Sequence, residues 1–530
     1  MPSTSRGVWC MVANRVQRAI HLLLLAVIVY VLTFFTTMPD FDLWARLAVG
    51  SLFFQTGHVL RHDIFSYLPT KDLWIDHEWG TGVVLYAFAK MAGDTGIFLL
   101  KGLLIASMLV VVGKTIKLRG GKQPPSPLFY ALLAYALFPG IASLLRSQMF
   151  TYLFFIVWLY GLERVRQGER KLLWLFPCTM LPWVNMHGGF VAGIGLLLFY
   201  IVGELLNRRS VLLYLVILLG SLAVTLINPY GLALWRYIVE ASLMPRPFIP
   251  EWNPVSLRGP MQAIGGLQVH FLTGYFVVAG LTFVGAFRTF VRGEKLDWTR
   301  IVVALGLLLL SLRHQRHAVF FVLAAGTLYY EPMVGLLDLP RRFLRKALPA
   351  QAVTLATGAR WGLGWVLPAL VLALILPRLS HRMMVDYRRF PVGSLEFVKQ
   401  NALAGNLATS FDWGSYASWK LYPQCKVMLD GRYEEVFTND VSESAMRFAV
   451  KQGNWWEPLD RFPTDIVVLP KTFYSQADLS RLTAWKPVYQ DYVSVVLLPL
   501  DRAPGTYTRP DYRDRAYGRE DLGKTIVTRR

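Results

Sequence analysis

The sequence predicts an all-α polytopic membrane domain of about eleven transmembrane helices, followed by a small extracytoplasmic α/β domain. Three observations lead there. Apolar residues make up 54% of the 530-residue chain and charged residues only 17%. Apolar blocks of about 20 residues, the length that spans a hydrocarbon core, recur between residues 18 and 377. Beyond them the apolar runs become short and alternate with polar stretches, as strands do. One such block could be a cleaved signal peptide; so many cannot. A formal net charge of +21 would point to nucleic acid in a soluble chain. Here Lys and Arg sit in short loops between apolar blocks, where they orient a membrane protein and meet anionic lipid heads. No zinc-finger or nucleic-acid helix pattern accompanies them, so nucleic acid is excluded as a partner. Cys10, Cys178 and Cys425 form neither a metal-ligand spacing nor a disulfide framework.

The passes follow from hydropathy and loop charge. The first, 18–37, is preceded by Arg6, Arg15 and Arg18, which places its start in the cytoplasm. Residues 38–79 form a first external loop. Segment 80–113 returns; it is broken at "AGD", 92–94, and reads as one pass plus an interfacial helix, since two full passes would reverse every later orientation. The basic stretch "KTIKLRGGK", 114–122, is then inside. Further passes are 128–144, 148–161, 172–184, 189–205 and 210–227; a long external loop fills 228–266; and 268–287, 299–312, 317–330 and 360–377 complete the set. The basic stretches 163–171, 207–209, 287–295 and 341–346 all fall inside. The N-terminus is therefore cytoplasmic and the membrane domain is 1–379. In the external domain, 380–500, "CKVMLD" (425–430), "DIVVLP" (465–470) and "YVSVVLLPL" (492–500) read as strands and "SESAMRFAVKQ" (442–452) as a helix. Residues 501–530, poor in apolar groups, read as a flexible tail.

Polar groups gathered at one membrane level mark function in such a protein. The first loop supplies Asp40, Asp42, Arg46, His77 and Glu78; the turn near 146 supplies Arg146 and Gln148; "WVNMHGG" supplies Asn185 and His187. The long loop supplies Glu251, Trp252 and Asn253, and "LRHQRH" supplies Arg313, His314, Arg316 and His317. All fall on the external side, which implies one outward-facing cavity. There a carboxylate can act as general base. Carboxylates with a histidine can hold a divalent cation, magnesium or manganese, over a phosphate leaving group. Arginines can neutralise that phosphate with paired hydrogen bonds. A lipid-linked sugar phosphate suits all three. The chain has no "GxxxxGK" phosphate loop and no dinucleotide fingerprint, so phosphoryl energy arrives preloaded on the lipid. Plainer readings stand beside these: Asp42 as a helix cap, Gly188 and Gly189 as turn residues, Arg313 and Arg316 as snorkelling anchors, Asp430 and Arg432 as a pair fixing a turn. "DHEW", 76–79, lacks the second histidine of "HExxH", which rules out that class of metalloprotease.

"PDFDLWARLAVG", 39–50, resembles the first external loop of the GT-C superfamily of multi-span glycosyltransferases. It is most similar to that of the catalytic subunit of oligosaccharyltransferase, which carries an essential Asp in a Phe-Asp-x-Trp-x-x-x-Arg-like setting. Here the residues are Phe41, Asp42, Trp44 and Arg46, with one residue fewer before the arginine. "SFDWGSYASWKLYP", 410–423, resembles the Trp-Trp-Asp-Tyr-Gly motif of the same enzyme, with Trp413 rather than Tyr before Gly414. "HEW" (77–79), "MHGGF" (186–190), "EWNP" (251–254) and "DGRYE" (430–434) complete a layout similar to that of bacterial membrane proteins of GT-C type.

The resemblance implies a GT-C-like membrane domain in a bacterial inner membrane, with Asp42 as the essential acid and Asp40 as second choice. Together with the outer polar clusters it assigns Asp42, Asp40 and Glu78 to catalysis, and Arg46, Arg146, Arg313, Arg316 and His187 to the donor phosphate. Asp412, Trp413, Tyr416 and Glu251 fall to the acceptor, and Asp42, His77 and Glu78 to the cation. The expected reaction moves a sugar from a polyprenyl-phosphate donor to an extracytoplasmic glycan, lipid or protein. The alternatives are an oligosaccharyltransferase moving a whole glycan from a lipid pyrophosphate to protein, a polymer ligase, or a non-enzymatic transporter or scaffold. The last would show broken polar helices and internal repeats, neither of which is evident.

Overall fold

The computed structural model describes residues 3–118, 125–141, 145–246, 249–258, 261–264, 267–337, 373, 381–473, 478, 481–503, 505–510 and 517–518. Apolar runs wind into thirteen helices before residue 338: α1 (Ser3–Phe34), α2 (Phe41–Thr56), α3 (Trp79–Leu118), α4 (Pro127–Ile141), α5 (Gln148–Arg166), α6 (Leu175–Met186), α7 (Val191–Leu206), α8 (Leu212–Val224), α9 (Leu232–Leu243), α10 (Thr273–Val291), α11 (Trp298–Arg313), α12 (Ala318–Leu328) and α13 (Tyr330–Leu337). A hairpin, β1 (Met261–Ile264) with β2 (Leu267–His270), lies in the long loop.

Helix length does not reproduce eleven passes among the described residues. Trp79–Leu118, Gly188–Leu206 and Thr273–Val291 are long and apolar enough to cross a membrane, and Gln315–Leu328 with Tyr330–Leu336, bent by 78°, make a fourth as a broken pair. Arg18–Phe34, Leu128–Ile141 and Leu212–Val224 are apolar but shorter. α4 and the 12-residue α6 each run on past an internal proline, Pro139 and Pro182. The expected pass 360–377 (save residue 373), the basic stretch 341–346 and most of 501–530 lie outside the described residues. The break expected at 92–94 is real: Ala92 and Gly93 leave helical geometry, Gly93 at φ +54°. A Cβ on Gly96 would stand 1.9 Å from the Phe88 carbonyl oxygen, so the chain doubles back there. Residues 94–118, about 37 Å of helix, form one pass-length element and 79–91 a short one.

Past the described membrane helices, a five-stranded sheet forms in the order β5-β4-β6-β8-β7, from β4 (Gly405–Thr409), β5 (Cys425–Val427), β6 (Ile466–Pro470), β7 (Trp485–Gln490) and β8 (Ser494–Pro499). β4 runs parallel to β5 and β6, while β8 is antiparallel to β6 and β7. The small pair β3 (Val385–Asp386) and β9 (Tyr517–Gly518) stands apart. Helices α14 (Val392–Gln400), α15 (Phe411–Leu421) and α16 (Asn439–Ala449) accompany the sheet. β5, β6, β8 and α16 are the strands and helix that the sequence predicts; β4 and β7, with "GNLAT" and "WKPVYQ", carry too few apolar residues to stand out.

The first external loop is the joint between the two parts. Its residues 65–67 pair with the free edge of β5: Val427 N donates to Phe65 O at 2.8 Å and Tyr67 N to Val427 O at 3.2 Å. Trp44 of α2, fully buried, packs its ring 4.9 Å from Tyr416 of α15. α2 and α3 touch through glycine: a Cβ on Gly50 would meet the Gly82 carbonyl oxygen at 2.1 Å. Arg432 seals the joint. Its guanidinium binds Asp430 at 2.7 Å and Asp63 of the first loop at 2.6 Å, and all three side chains are buried. Removing one partner of such a pair strands the other charges in low dielectric. Arg432→Met should therefore cost about 3–5 kcal/mol, seen as a fall in melting temperature of the detergent-solubilised protein. Asp63→Asn with Arg432→Met should recover part of it.

Candidate active site

Between the ends of the membrane helices and the sheet domain lies a cavity of about 1000 Å³. Asp40, Asp42, Arg46, His77, Glu78, Arg146, His187, Glu251, Arg313, Arg316 and Asp412 all line it. The structure thus brings eleven of the thirteen sequence-predicted site residues to one place. Trp413 and Tyr416 are the exceptions. Tyr416 is fully buried in the core against Trp44 and Phe390 and presents nothing to the cavity. Trp413 faces a neighbouring crevice of about 470 Å³, its Nε1 donating to the Arg389 carbonyl at 2.8 Å. An acceptor in the main cavity meets Asp412 but neither of these rings.

The acidic pole forms at the start of α2. Asp40, not Asp42, caps that helix: its Oδ1 accepts from the Asp42 amide at 3.2 Å. Asp40 Oδ2 lies 2.9 Å from Arg146 Nε, and Arg146 Nη1 reaches Glu251 at 2.9 Å. Asp42 lies 3.8 Å from Arg146 Nη2, too far for a hydrogen bond, and 55% of its side chain faces the open space of the cavity. That space is walled by protein. Removal from bulk water, then the neighbouring Asp40 carboxylate, push the Asp42 carboxyl up to about 8, while Arg146 pulls against them. Gly431 of the sheet domain closes over it: a Cβ there would sit 2.5 Å from Asp42 Oδ1. Only glycine lets the backbone come so near.

Arg46 and Arg146, expected to hold phosphate, are occupied by carboxylates. Arg146 is shared among Asp40, Glu251 and Asp42. Arg46, buried, contacts Asp76 at 2.5 Å, Glu78 at 3.4 Å and Glu435 of the sheet domain at 3.8 Å. Glu435 also accepts from Trp74 Nε1 at 2.8 Å and lies 2.9 Å from His77 Nδ1. Burial pushes the Glu78 carboxyl up, but Arg46 first, then His187, His77 and the Ser147 hydroxyl, bring it down to about 2. His187 is held neutral. Burial lowers it to about 3. Its Nδ1 receives the Gly189 amide at 2.8 Å and pairs with Thr151 Oγ1 at 2.9 Å, which leaves the proton on Nε2, 3.4 Å from Glu78.

The basic wall is the turn after α11. Among the described residues Arg313 and Arg316 have no carboxylate partner. Arg316 lies 4.3 Å from the Trp252 ring centre, and His314 Nδ1 is 2.5 Å from the Trp252 carbonyl oxygen. Tyr152 feels the charges of both Arg316 and the Arg146–Glu251 pair, which sets the two poles within electrostatic reach of each other.

A divalent cation on Asp42, His77 and Glu78 does not fit this arrangement. Among the described residues no three His, Cys, Asp or Glu side chains converge as a chelate. His77 Nδ1 faces Glu435, and Glu78 faces Arg46 and Ser147. Sequence reasoning missed Arg246, Glu434 and Glu435 as members of the site. The signal for the last two was faint: Glu434 ends "DGRYE" and Glu435 follows it, and their partners lie far off in sequence, Arg246 188 positions before Glu434 and Trp74 361 before Glu435.

No protein-family model and no curated protein matches the chain. Solved structures do. The oligosaccharyltransferase of Archaeoglobus fulgidus in the apo form superposes with a TM-score of 0.55 at 11% identity, covering 86% of this chain and 70% of that one. AglB of that archaeon in complex with an inhibitory peptide and a dolichol-phosphate gives 0.54 at 10% identity, over 93% and 74%. The same oligosaccharyltransferase tethered with an acceptor peptide containing the NVT sequon gives 0.54 at 11% identity, over 93% and 74%. At these identities the likeness is one of fold. The chain shares its fold with the Archaeoglobus fulgidus oligosaccharyltransferase, the likeness that its two motifs predict.

The Glu78 pairing yields a pH test. Its carboxyl titrates near 4.5 when unfolded and near 2 when folded, so the folded chain binds fewer protons and loses stability as pH falls through that window. The contribution, about 3 kcal/mol, is complete above pH 4.5. The melting-temperature gap between wild type and Glu78→Gln should be widest near pH 6 and close progressively from pH 4.5 towards 2.

Proposed function

We propose that the protein is a glycosyltransferase that moves a sugar from a polyprenyl-phosphate donor to an acceptor on the external face of a bacterial inner membrane. In this reading the chain crosses that membrane eleven times, with its N-terminus in the cytoplasm. One observation carries the proposal: one large cavity holds Asp42, a carboxylate more than half exposed and 3.8 Å from its nearest arginine nitrogen, together with two arginines, Arg313 and Arg316, without acid partners among the described residues. That is what displacement of a phosphate by a hydroxyl requires. The arginines neutralise the donor phosphate through their N–H edges. An acceptor oxygen attacks the anomeric carbon, its proton passes to Asp42, and the bond from that carbon to the phosphate oxygen breaks, leaving polyprenyl phosphate with the electron pair. One base and one phosphate clamp suffice for inversion, without a second nucleophilic carboxylate. A base with a raised pKa holds the incoming proton more firmly once it is ionised. No step is routed through a metal.

A second reading, transfer of a preassembled glycan to protein, draws support from the fold shared with an enzyme captured with an acceptor peptide. Against it stands the burial of Tyr416 in the stretch that resembles the motif of that enzyme. Mass analysis of envelope proteins and glycolipids from cells with and without the gene separates the two.

Asp42→Asn should lower sugar transfer by about 10²–10⁴-fold while leaving the melting temperature of the protein within a degree or two of wild type. Undiminished transfer of labelled sugar in that variant rejects the assignment. Only the carboxylate form accepts a proton, so the wild-type rate should climb with pH up to about 8, where the Asp42 carboxyl titrates, and level off above it.

A further inference from the structure

Trp252 meets two guanidinium groups. Arg246 lies 4.2 Å from its ring centre and Arg316 4.3 Å. Both guanidinium groups lie over the one indole, which is therefore shared by two cations. The two cations differ. Arg246 is spent: both carboxylate oxygens of Glu434 lie 2.5 Å from it, and its Nη2 donates to the Ala241 carbonyl at 2.6 Å. Arg316 has no acid partner among the described residues. A guanidinium stacked by its face keeps its N–H edge free, the edge that binds a phosphate in two parallel bonds.

The backbone around Trp252 is stitched to the turn that carries Arg316. Gln315 N donates to Asn253 O at 3.1 Å, Val255 N to Leu312 O at 3.0 Å, and Gln315 Nε2 to Pro254 O at 3.1 Å. "EWNP" and "LRHQRH" are therefore one hydrogen-bonded unit. Glu251, the preceding residue, grips Arg146 beside Asp40 and Asp42. Two consecutive side chains thus reach both poles of the cavity.

We infer that Trp252 is a positioning residue for the donor phosphate: its indole, also in contact with the Glu434-bound Arg246, holds the Arg316 guanidinium face-on so that its edge meets the phosphate. This rests on the reading of Arg316 as part of the phosphate clamp, and the test separates the two. The probe is undecaprenyl phosphate, titrated into the full-length detergent-solubilised protein, with binding read by intrinsic fluorescence or native mass spectrometry. Trp252→Ala should weaken binding about three- to thirtyfold, the range of one cation–π contact. Trp252→Phe, which keeps an aromatic face, should recover most of the loss. The double variant Trp252→Ala/Arg316→Ala should bind no more weakly than Arg316→Ala alone, because residues that act as a unit are not additive. A general loosening of the loop would instead add to the arginine loss. In transfer assays the tryptophan variants should raise KM for the lipid donor and spare kcat.

Wild-type affinity in Trp252→Ala, or losses that add in the double variant, overturns the role of Trp252. Wild-type affinity in Arg316→Ala removes the phosphate clamp itself, and this inference falls with it. If Trp252→Ala does not fold, Trp252→Leu, which keeps bulk without the aromatic face, takes its place with the same expected outcome.

Discussion

The rest of the structure depends on the buried guanidinium of Arg46. It sits on α2, contacts Asp76 and Glu78 of the first external loop, and reaches Glu435 of the sheet domain. Three chain segments far apart in sequence converge on one positive charge. Three carboxylates around one arginine would be over-charged, and His77 lies against Glu435 to offset the excess, its imidazole raised because the carboxylates outweigh the cost of burial. Buried ion pairs contribute little net stability over an apolar core, yet they tolerate few alternative arrangements. Their effect here is geometric. With Arg46 in place, α2 points Asp42 into the cavity and the sheet domain closes over it.

Charge is partitioned inside that cavity rather than spread evenly. Most of the arginines that line it are answered by acids: Arg46, Arg146, Arg246 and Arg432 each contact carboxylates. The two without such partners among the described residues, Arg313 and Arg316, sit at the end of α11 and just past it, and the half-open carboxylate of Asp42 lines the same cavity. Paired charges build the wall; unpaired ones are left for a ligand. The same rule explains why Arg46 and Arg146 differ in role from Arg313 and Arg316 although all four are arginines at one level of the molecule.

Much of this was legible in the residues themselves. Hydropathy marked most of the apolar helices, and the clustering of acids, His and Arg in the turns on one expected side foretold that they would line one cavity. Local patterns sufficed for β6 and β8, whose apolar runs are dense, but not for β4, whose five residues include Gly405 and Asn406. Spacing could not distinguish a cation awaiting a phosphate from one already holding Asp76, since that pairing is settled by a fold contact 30 positions away. Nor could it show that Tyr416, within a recognisable motif, turns into the core. The helix count fared worst: among the described residues several apolar helices, such as Leu128–Ile141 and Leu212–Val224, are shorter than a full span.

Gly431 closing on Asp42 joins residues separated by most of the polypeptide. A ribosome completes the first loop long before it reaches the strands that roof it. The nascent protein must therefore pass through a stage in which its first helices are made and its cavity lacks a roof. A truncation ahead of Gly431 would leave that cavity open, however complete the helices below it.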